Sequence, residues 1–230
     1  MVVGANGVGT SKGAAYIYDL DGTQVGILTG DASNFDQFGS SVAVGCGRIV
    51  VGATGAAGGG AAFIYDLNGN QLAKITASDG AAGDDFGHSV AVGCGRIVVG
   101  VDDAYVGINT FQGAVYIFDL DGNQLSKITA SDGAAYDYFG DSVAVGSGRI
   151  VVGARGVDIG SNTFQGAAYI FDLDGNQLSK ITDSNGSDSD QFGYSVAVES
   201  GRVVIGAPGD DVGGKAHFMI LHLFIIFMMQ

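Results

Sequence analysis

The sequence predicts an all-β protein made of repeated four-stranded units, and three observations lead to this prediction. Of the 230 residues, 41 are Gly, and 23 of the 24 acidic residues are Asp. Gly and Asp favour turns, whereas the exposed surfaces of helices favour Glu, Ala and Lys. A hydrophobic content of 47%, rich in Val and Ile, indicates a packed core instead of low-complexity sequence. The third observation is an internal repeat, which decides how the strands are arranged.

Each repeat unit begins with Phe-Gly and a polar-Ser-Val-Ala-Val strand, and a second strand similar to Val-Val-Gly-Ala follows it. The four copies begin at Phe38, Phe86, Phe139 and Phe192, and the Gly of the second strand always lies 14 residues later. By contrast, the connection between the second and third strands varies in length. Constant strands with variable connections are typical of a scaffold that carries adjustable loops.

The first and second strands of a unit are predicted to form a hairpin. Residues 142–145 and 150–152 are rich in β-branched side chains, and Gly146-Ser147-Gly148 between them predicts a tight turn. An Arg recurs at the start of the second strand, at Arg48, Arg96, Arg149 and Arg202. This recurrence predicts a structural ion pair or carbonyl contact, with the Asp of a neighbouring turn as the expected partner.

The third and fourth strands are predicted to form a second hairpin. Residues 167–173 alternate aromatic and aliphatic side chains, Asp174-Gly175 is a strong turn signal, and residues 178–182 close the unit. Because Leu178 and Ile181 cannot share one face of a regular strand, we expect a bulge there. A Lys recurs in the fourth strand at Lys74, Lys127 and Lys180, where an exposed charge would discourage edge-to-edge aggregation. Four antiparallel strands, repeated about every 50 residues, are the pattern of a β-propeller.

Three segments of one unit also carry a family resemblance. They are Phe139-Gly140-Asp141-Ser142-Val143-Ala144-Val145, Val151-Val152-Gly153-Ala154 and Gly166-Ala167-Ala168-Tyr169-Ile170-Phe171. These segments resemble the FG-GAP repeat, which builds the propeller of integrin α subunits. Bacterial and algal FG-GAP proteins with the Thr-Ala-Ser-Asp-Gly-Ala-Ala linker seen at residues 129–135 are more similar still. The Pro of the Gly-Ala-Pro signature is retained only at Pro208.

The repeat arithmetic predicts a single propeller domain over residues 1–216, with four or five blades. Its units are residues 1–37 (partial), 38–85, 86–138, 139–191 and 192–216 (partial). A small ring and an open arc both remain open, and an open arc would expose blade faces and self-associate. Residues 217–230 form a divergent hydrophobic tail, interpreted as a truncated or out-of-frame gene end, as two further strands, or as a membrane anchor. Membrane contact is expected only if this tail is an anchor, and no signal peptide is visible.

The formal net charge of −14 argues against nucleic acid or an anionic membrane surface as the partner. The connections between strands two and three and between consecutive units should share one face of the propeller, because strands alternate in direction. This face, called the loop face below, carries most of the Asp together with aromatic residues. The resemblance implies that this face binds ligand, as the corresponding face of integrin-like propellers does.

Candidate ligand-binding residues on the loop face are Asp79, Asp84, Asp85, Asp102, Asp103, Asp132, Asp137, Asp158, Phe111 and Phe164. An acidic and aromatic surface with adjustable loops is typical of a recognition surface. The alternative interpretation is that these Asp residues cap turns and keep the face soluble.

The sequence predicts no metal site apart from a weak calcium candidate at Asp84 and Asp85. The turn at residues 45–48 lacks the acids of an integrin-like calcium loop, and Asp119-Leu120-Asp121-Gly122-Asn123 is interpreted as a turn. We expect Cys46 and Cys94, at equivalent positions of successive units, to be too far apart for a disulfide. We interpret His88 as incidental, because other units have Ser, Asp or Tyr at this position.

These observations lead to a functional hypothesis without a cofactor. We expect a non-enzymatic adhesion or recognition module, extracellular or at the cell surface, that binds protein or glycan through the loop face. The alternative is a structural component of a cell-surface or virion assembly with no discrete ligand. An enzyme ranks third among the interpretations. The sequence contains no catalytic motif, and faithful repeats leave little asymmetry for a catalytic site.

Overall fold

A computed structural model describes residues 1–7, 12–30, 36–210 and 217–222, the last of these as backbone only. The described residues form five antiparallel sheets. Sheet 1 contains β1 (Val2–Ala5), β2 (Ala14–Tyr18) and β3 (Gln24–Leu28), and sheet 2 contains β4 (Phe38–Gly45), β5 (Arg48–Ala53), β6 (Ala61–Tyr65) and β7 (Gln71–Ile75). Sheet 3 contains β8 (Ser89–Gly93), β9 (Arg96–Val101), β10 (Ala114–Phe118) and β11 (Gln124–Ile128). Sheet 4 contains β12 (Phe139–Gly146), β13 (Arg149–Ala154), β14 (Ala167–Phe171) and β15 (Gln177–Ile181), and sheet 5 contains β16 (Ser195–Glu199), β17 (Arg202–Ala207) and β18 (His217–His222).

The sheets are the blades of a β-propeller, each an antiparallel meander in chain order, which confirms the predicted fold. The first strands β4, β8, β12 and β16 pack against one another in succession and therefore lie innermost. In the described part of the chain, extensive strand packing joins each sheet only to the next sheet along the chain. The propeller is therefore partial and open. That part contains no helix, and so none long and apolar enough to cross a membrane.

Two glycines recur in the repeat unit, one in the Phe-Gly signature and one in the Gly-Ala signature, and they let strands of neighbouring blades approach closely. A Cβ atom at Gly100 of β9 would overlap the carbonyl oxygen of Gly140 in the next blade, and the Ser89 hydroxyl donates a 2.7 Å hydrogen bond to that same oxygen. Gly140 itself has a φ of 99°, a left-handed conformation that favours glycine. The Phe-Gly and Gly-Ala signatures therefore record a backbone contact between blades.

The hydrophobic core lies between adjacent blades. The signature Phe139 is fully buried and packs edge-on against Tyr169 and Phe171 of its own blade, with ring centroids 5.4 and 5.8 Å away. Its amide donates to the carbonyl of Gln112 in the preceding blade at 2.8 Å. One aromatic side chain thus fills the core and also fixes the chain between two blades.

The predicted hairpin turn at residues 146–148 and the predicted bulge are confirmed. A turn is also present at Asp174-Gly175, but the connection there is longer than two residues, and the Asp172 amide donates to the Asn176 carbonyl at 3.0 Å. Ser147 and Gly148 both have positive φ values, 51° and 72°, as a two-residue hairpin loop requires. The register of β14 and β15 shifts where Ile170 pairs with Ser179 and Phe171 pairs with Gln177, which leaves Leu178 unpaired. This bulge leaves Leu178 50% exposed while Ile181 is buried, so the two side chains take different environments.

Two of the four recurring Arg residues, Arg48 and Arg96, make the predicted contact with the turn of the next blade. Arg48 donates from Nε to the Leu120 carbonyl at 3.0 Å, and its guanidinium lies 3.4 Å from Asp121. Arg96 repeats this contact with Leu173 and Asp174. The first-to-second and third-to-fourth turns therefore lie at the same face, opposite the loop face.

The hydrophobic tail contributes a strand to sheet 5. Residues 217–222 form β18, which pairs antiparallel with β17 as its third strand. Residues 223–230, the remainder of the tail, lie outside the described residues. Cys46 and Cys94 are exposed and free, as expected.

Candidate functional site

The long second-to-third loops and the inter-blade loops meet on one face, as the strand directions predict. Tyr136 donates its amide to the carbonyl of Thr110 at 2.8 Å, and Tyr138 donates to that of Phe111 at 3.0 Å. The loop of residues 102–112 therefore lies directly beside the inter-blade loop of residues 129–138. We call this part of the loop face the 3–4 junction, because it lies between sheets 3 and 4.

Asp84 and Asp137, two of the ligand candidates, are buried structural groups. Each precedes the signature Phe by two residues, and each accepts a 2.7 Å hydrogen bond from the backbone amide three residues earlier, at Ala81 and Ala134. Burial raises the pKa of Asp137 to about 6, although the Ala134 amide acts against this rise. Asp190 is buried at the equivalent position and accepts from the Ser187 amide, and Asp36 is also buried at its equivalent position.

Asp79 and Asp132, two further candidates, tie neighbouring blades together. Asp79 accepts hydrogen bonds from Lys127 Nζ at 2.7 Å and from the Tyr116 hydroxyl at 2.6 Å, both in the following blade. Asp132 repeats this arrangement with Lys180 and Tyr169 at 2.7 and 3.0 Å. The Lys127 hydrogen bond holds the pKa of Asp79 below its ordinary value. Lys127 and Lys180 are thus bound in contacts between blades in addition to lying on an edge strand.

Asp158 and Phe164 lie in the second-to-third loop of sheet 4. Asp158 accepts a 2.9 Å hydrogen bond from the Phe164 amide, so its carboxylate stabilises its own loop. Phe164 is 38% exposed, and no aromatic ring packs against it among the described residues. Neither residue is part of a larger cluster.

Phe111, by contrast, is the centre of an aromatic cluster at the 3–4 junction. Its ring lies 5.6 Å from Tyr105, 5.7 Å from Tyr136 and 6.2 Å from Tyr138, the last in a stacked arrangement. Tyr105 and Tyr136 are 57% and 48% exposed. The cluster therefore presents aromatic surface to solvent while its central ring is partly covered.

The backbone at this cluster is unfavourable for aromatic residues. Tyr136 has a φ of 69° and Tyr138 a φ of 55°, in the left-handed region that bulky residues rarely adopt. The equivalent positions of the next inter-blade loop are Ser189 and Gln191. Since the backbone there is the same and needs no aromatic ring, the two Tyr residues are candidates for function.

A charged cluster lies beside the aromatic rings, at the inner ends of sheets 3 and 4. His88 places Nδ1 3.1 Å from Asp102 Oδ1 and Nε2 3.4 Å from Asp141 Oδ1. Asp141 Oδ1 also accepts a 3.1 Å hydrogen bond from Arg155 Nε. The Arg155 guanidinium lies 4.1 Å from the centre of the Tyr138 ring, which joins the charged and aromatic clusters by a cation–π contact.

The titration of this cluster follows from burial and from the number of carboxylates in it. The hydrogen bond to Asp141 raises the pKa of His88 above its ordinary value, with Asp102 contributing, although burial acts against this. Burial raises the pKa of Asp102 to about 6, and the nearby His88 partly offsets this effect. Burial also raises the pKa of Asp85 and of Asp103, and each of these carboxylates has further acids around it.

The structure thus divides the sequence candidates into two groups. Asp102, Asp103, Asp85 and Phe111 lie at or beside the 3–4 junction, whereas the other candidates form contacts within loops or between blades. Sequence reasoning missed Asp141 and Arg155, and it interpreted His88 as incidental. Their departure from the other copies was the signal, because such departures distinguish one junction from the next.

Acidic segments discussed as calcium candidates have other contacts in the structure. Asp119 accepts hydrogen bonds from the amides of Asp121 and Asn123 at 3.0 and 2.9 Å and from the Asn123 side chain at 2.8 Å, so it stabilises its own turn. The Asp84 carboxylate accepts the hydrogen bond from the Ala81 amide described above. Among the described residues, the one group of three His or acidic side chains arranged to hold a metal ion is His88, Asp102 and Asp141.

Comparisons with known proteins agree with this architecture. A family model described as the FG-GAP repeat matches residues 22–65, 70–118, 123–171 and 176–218. No curated protein matches the chain. The crystal structure of BamB from Moraxella catarrhalis is similar over 86% of this chain, with a TM-score of 0.52 and 14% sequence identity. The chain spans 51% of that protein, and the likeness concerns the β-propeller fold alone.

Proposed function

The chain belongs to the FG-GAP repeat family, and from this premise we propose that it is a non-enzymatic recognition module that binds a glycan at the 3–4 junction. The observation that carries the proposal is the exposed aromatic cluster of Tyr105, Phe111, Tyr136 and Tyr138. It occurs at one junction of a scaffold whose other contacts repeat from blade to blade.

The chemistry of the junction favours a glycan over a protein ligand. The faces of sugar rings carry C–H groups that pack against the electron-rich faces of Tyr and Phe. Sugar hydroxyls donate hydrogen bonds to carboxylates, and the partly exposed Asp103 lies close enough to be influenced by Arg155, which stacks on the Tyr138 ring. A net charge of −14 disfavours polyanionic chains, so the ligand class is a neutral or amino-bearing glycan.

The location that fits this role is extracellular or at the cell surface, where such glycans are abundant. Binding without catalysis is proposed because an open platform of rings holds a chain of sugars by stacking and leaves it intact. Adhesion then follows from attachment of this module to a surface-bound glycan.

The test is a glycan array that carries neutral, amino-bearing and sulfated oligosaccharides, probed with the labelled full chain and followed by calorimetry. We expect binding to neutral or amino-bearing glycans, reduced at least tenfold in Tyr136→Ser, which restores the residue found at Ser189. Phe164→Ala, the matched control in the equivalent loop of sheet 4, should bind as the wild type does.

Two results would overturn glycan recognition at this junction. One is equal binding by the wild type and Tyr136→Ser. The other is the absence of binding to every glycan class, which would favour a structural component of a cell-surface or virion assembly.

A further inference from the structure

We propose that His88, Asp102 and Asp141 form a binding site for a divalent first-row transition metal ion, with Zn²⁺ as the best match. The site goes beyond the proposed glycan recognition and does not depend on it. Each of these residues offers a donor atom, and the three atoms lie within 4.8 Å of one another.

The distances in the cluster approach those of a coordination sphere. Ligand atoms around a tetrahedral Zn²⁺ lie about 3.3 Å apart, given Zn–N and Zn–O distances of about 2.0 to 2.1 Å. His88 is already 3.1 Å from Asp102 through Nδ1 and 3.4 Å from Asp141 through Nε2. Because its side chain is 39% exposed, a small rotation can bring one ring nitrogen between the two carboxylates.

A buried oxygen atom independently points to a ligand at this position. Asp102 is 4% exposed, and its Oδ1 atom makes no hydrogen bond in the structure. That oxygen faces His88 Nδ1 at 3.1 Å without the alignment of a hydrogen bond. A buried carboxylate oxygen without a donor is costly, and a metal ion would satisfy it.

The charges around the cluster favour a cation. Asp85 and Asp103 lie close enough to influence His88 and each other, in addition to the two carboxylate ligands. Arg155 is the basic side chain that contacts the cluster, through Asp141. The excess of carboxylates therefore attracts a divalent ion more strongly than it would attract an anionic ligand.

The donor set selects the class of metal. An imidazole nitrogen with two carboxylates suits Zn²⁺, Mn²⁺ or Fe²⁺, whereas Ca²⁺ prefers six to eight oxygen atoms. Three protein ligands leave a fourth position open on the loop face. The ion would bind His88 as a neutral imidazole and the two Asp residues as carboxylates.

The experiment is calorimetric titration of the full chain with ZnCl₂ at neutral pH. It uses a Cys46→Ser/Cys94→Ser background, because the next two repeats carry Ser147 and Ser200 at these positions. We expect one ion per chain, with affinity reduced at least tenfold in His88→Ser, which restores the residue found at Ser40. Asp102→Asn, which preserves shape and removes charge, should cause a similar loss.

Three controls make the result specific. Asp158→Asn removes an acid from the same face and should leave the affinity unchanged. Replacing His217 and His222 with Ala should also leave it unchanged, which assigns the ion to His88. Thermal melts report whether each variant folds, and Asp102→Asn decides the question if His88→Ser does not fold.

Absence of Zn²⁺ binding by the wild type, or equal affinity in folded His88→Ser and Asp102→Asn, would overturn the site. Since the probe is Zn²⁺ alone, failure here is distinguishable from failure of glycan binding.

Discussion

The loops of residues 102–112 and 155–165 share a backbone conformation and several side chains, but they differ at other positions. Each loop contains one isolated antiparallel β-bridge, which joins Val106 to Asn109 in the first loop and Ile159 to Asn162 in the second. In both, the Asn amide donates to a buried Gln and to a Gly carbonyl of the following inter-blade loop. The repeated residues thus reproduce one loop structure twice.

The two loops differ at both exposed and buried positions. Tyr105 stands where sheet 4 has Asp158, and Asp102 stands where it has Arg155. The neighbouring inter-blade loops differ in the same way, with Tyr136 at the position of Ser189. In a repeat protein, residues that recur with the same contacts maintain the fold, and residues that depart at one place are candidates for function.

The largest change in the free energy of unfolding is expected when the buried Gln side chain that both loops share is removed. Gln165→Ala should lower the free energy of unfolding by about 2 to 3 kcal/mol, because it removes buried hydrogen bonds with Asn162 and the Asp183 carbonyl and leaves a cavity. Gln112→Ala should cost a similar amount, since Gln112 accepts the equivalent hydrogen bond from Asn109. Denaturant unfolding measures both values, and a clear inequality would show that the loops are not structurally equivalent.

Asp137 offers a test of the shared inter-blade loop. Asp137→Ala should cost about 1 to 3 kcal/mol, because it removes the hydrogen bond between the Ala134 amide and a buried carboxylate. Asp137→Asn retains an acceptor and should be much less harmful.

The pH dependence of Asp137→Asn has a definite sign. The folded-state pKa of Asp137, about 6, lies above the ordinary value of 3.8, so the wild type gains stability from this group at low pH and loses it as pH rises through 6. The stability of Asp137→Asn relative to the wild type should therefore increase between pH 4 and pH 7. Thermal melts across this range measure the difference, and the opposite trend would contradict the assignment.

A smaller effect is expected at the ties between blades. Tyr116→Phe and Tyr169→Phe each remove one hydrogen bond to an Asp, at 2.6 and 3.0 Å, and should each cost about 1 kcal/mol. Equal losses in denaturant unfolding would confirm that Asp79 and Asp132 have structural roles. A loss in only one variant would instead reveal a specialised junction.

The smallest effect on stability is expected where the loops diverge. Tyr136→Ser should change the free energy of unfolding by less than about 0.5 kcal/mol, because Ser189 adopts the same left-handed conformation, with a φ of 64°, in the next loop. A loss above about 2 kcal/mol in denaturant unfolding would indicate that the aromatic cluster is part of the core.

The sequence predicted the strands, turns and bulge because these depend on local spacing and recur from unit to unit, and the recurrence of the Arg marked it as structural although its partners lie 72 to 77 residues later. It did not predict that Asp79 and Asp132 bind Lys and Tyr side chains 37 to 48 residues later, since such contacts depend on how blades pack. The contacts of His88 could not be predicted for a related reason. Its departure from the repeat was interpreted as noise, whereas the fold places it between Asp102 and Asp141 of adjacent sheets.

The central claim is that the shared backbone carries a site made by the divergent side chains. The direct measurement is the affinity of Tyr105→Asp/Tyr136→Ser/Tyr138→Gln, in which the 3–4 junction takes the residues of the following repeat, for the glycan selected on the array. The account predicts a melting temperature within about 2 °C of the wild type and at least a tenfold loss of binding. Wild-type affinity in the folded variant would contradict it.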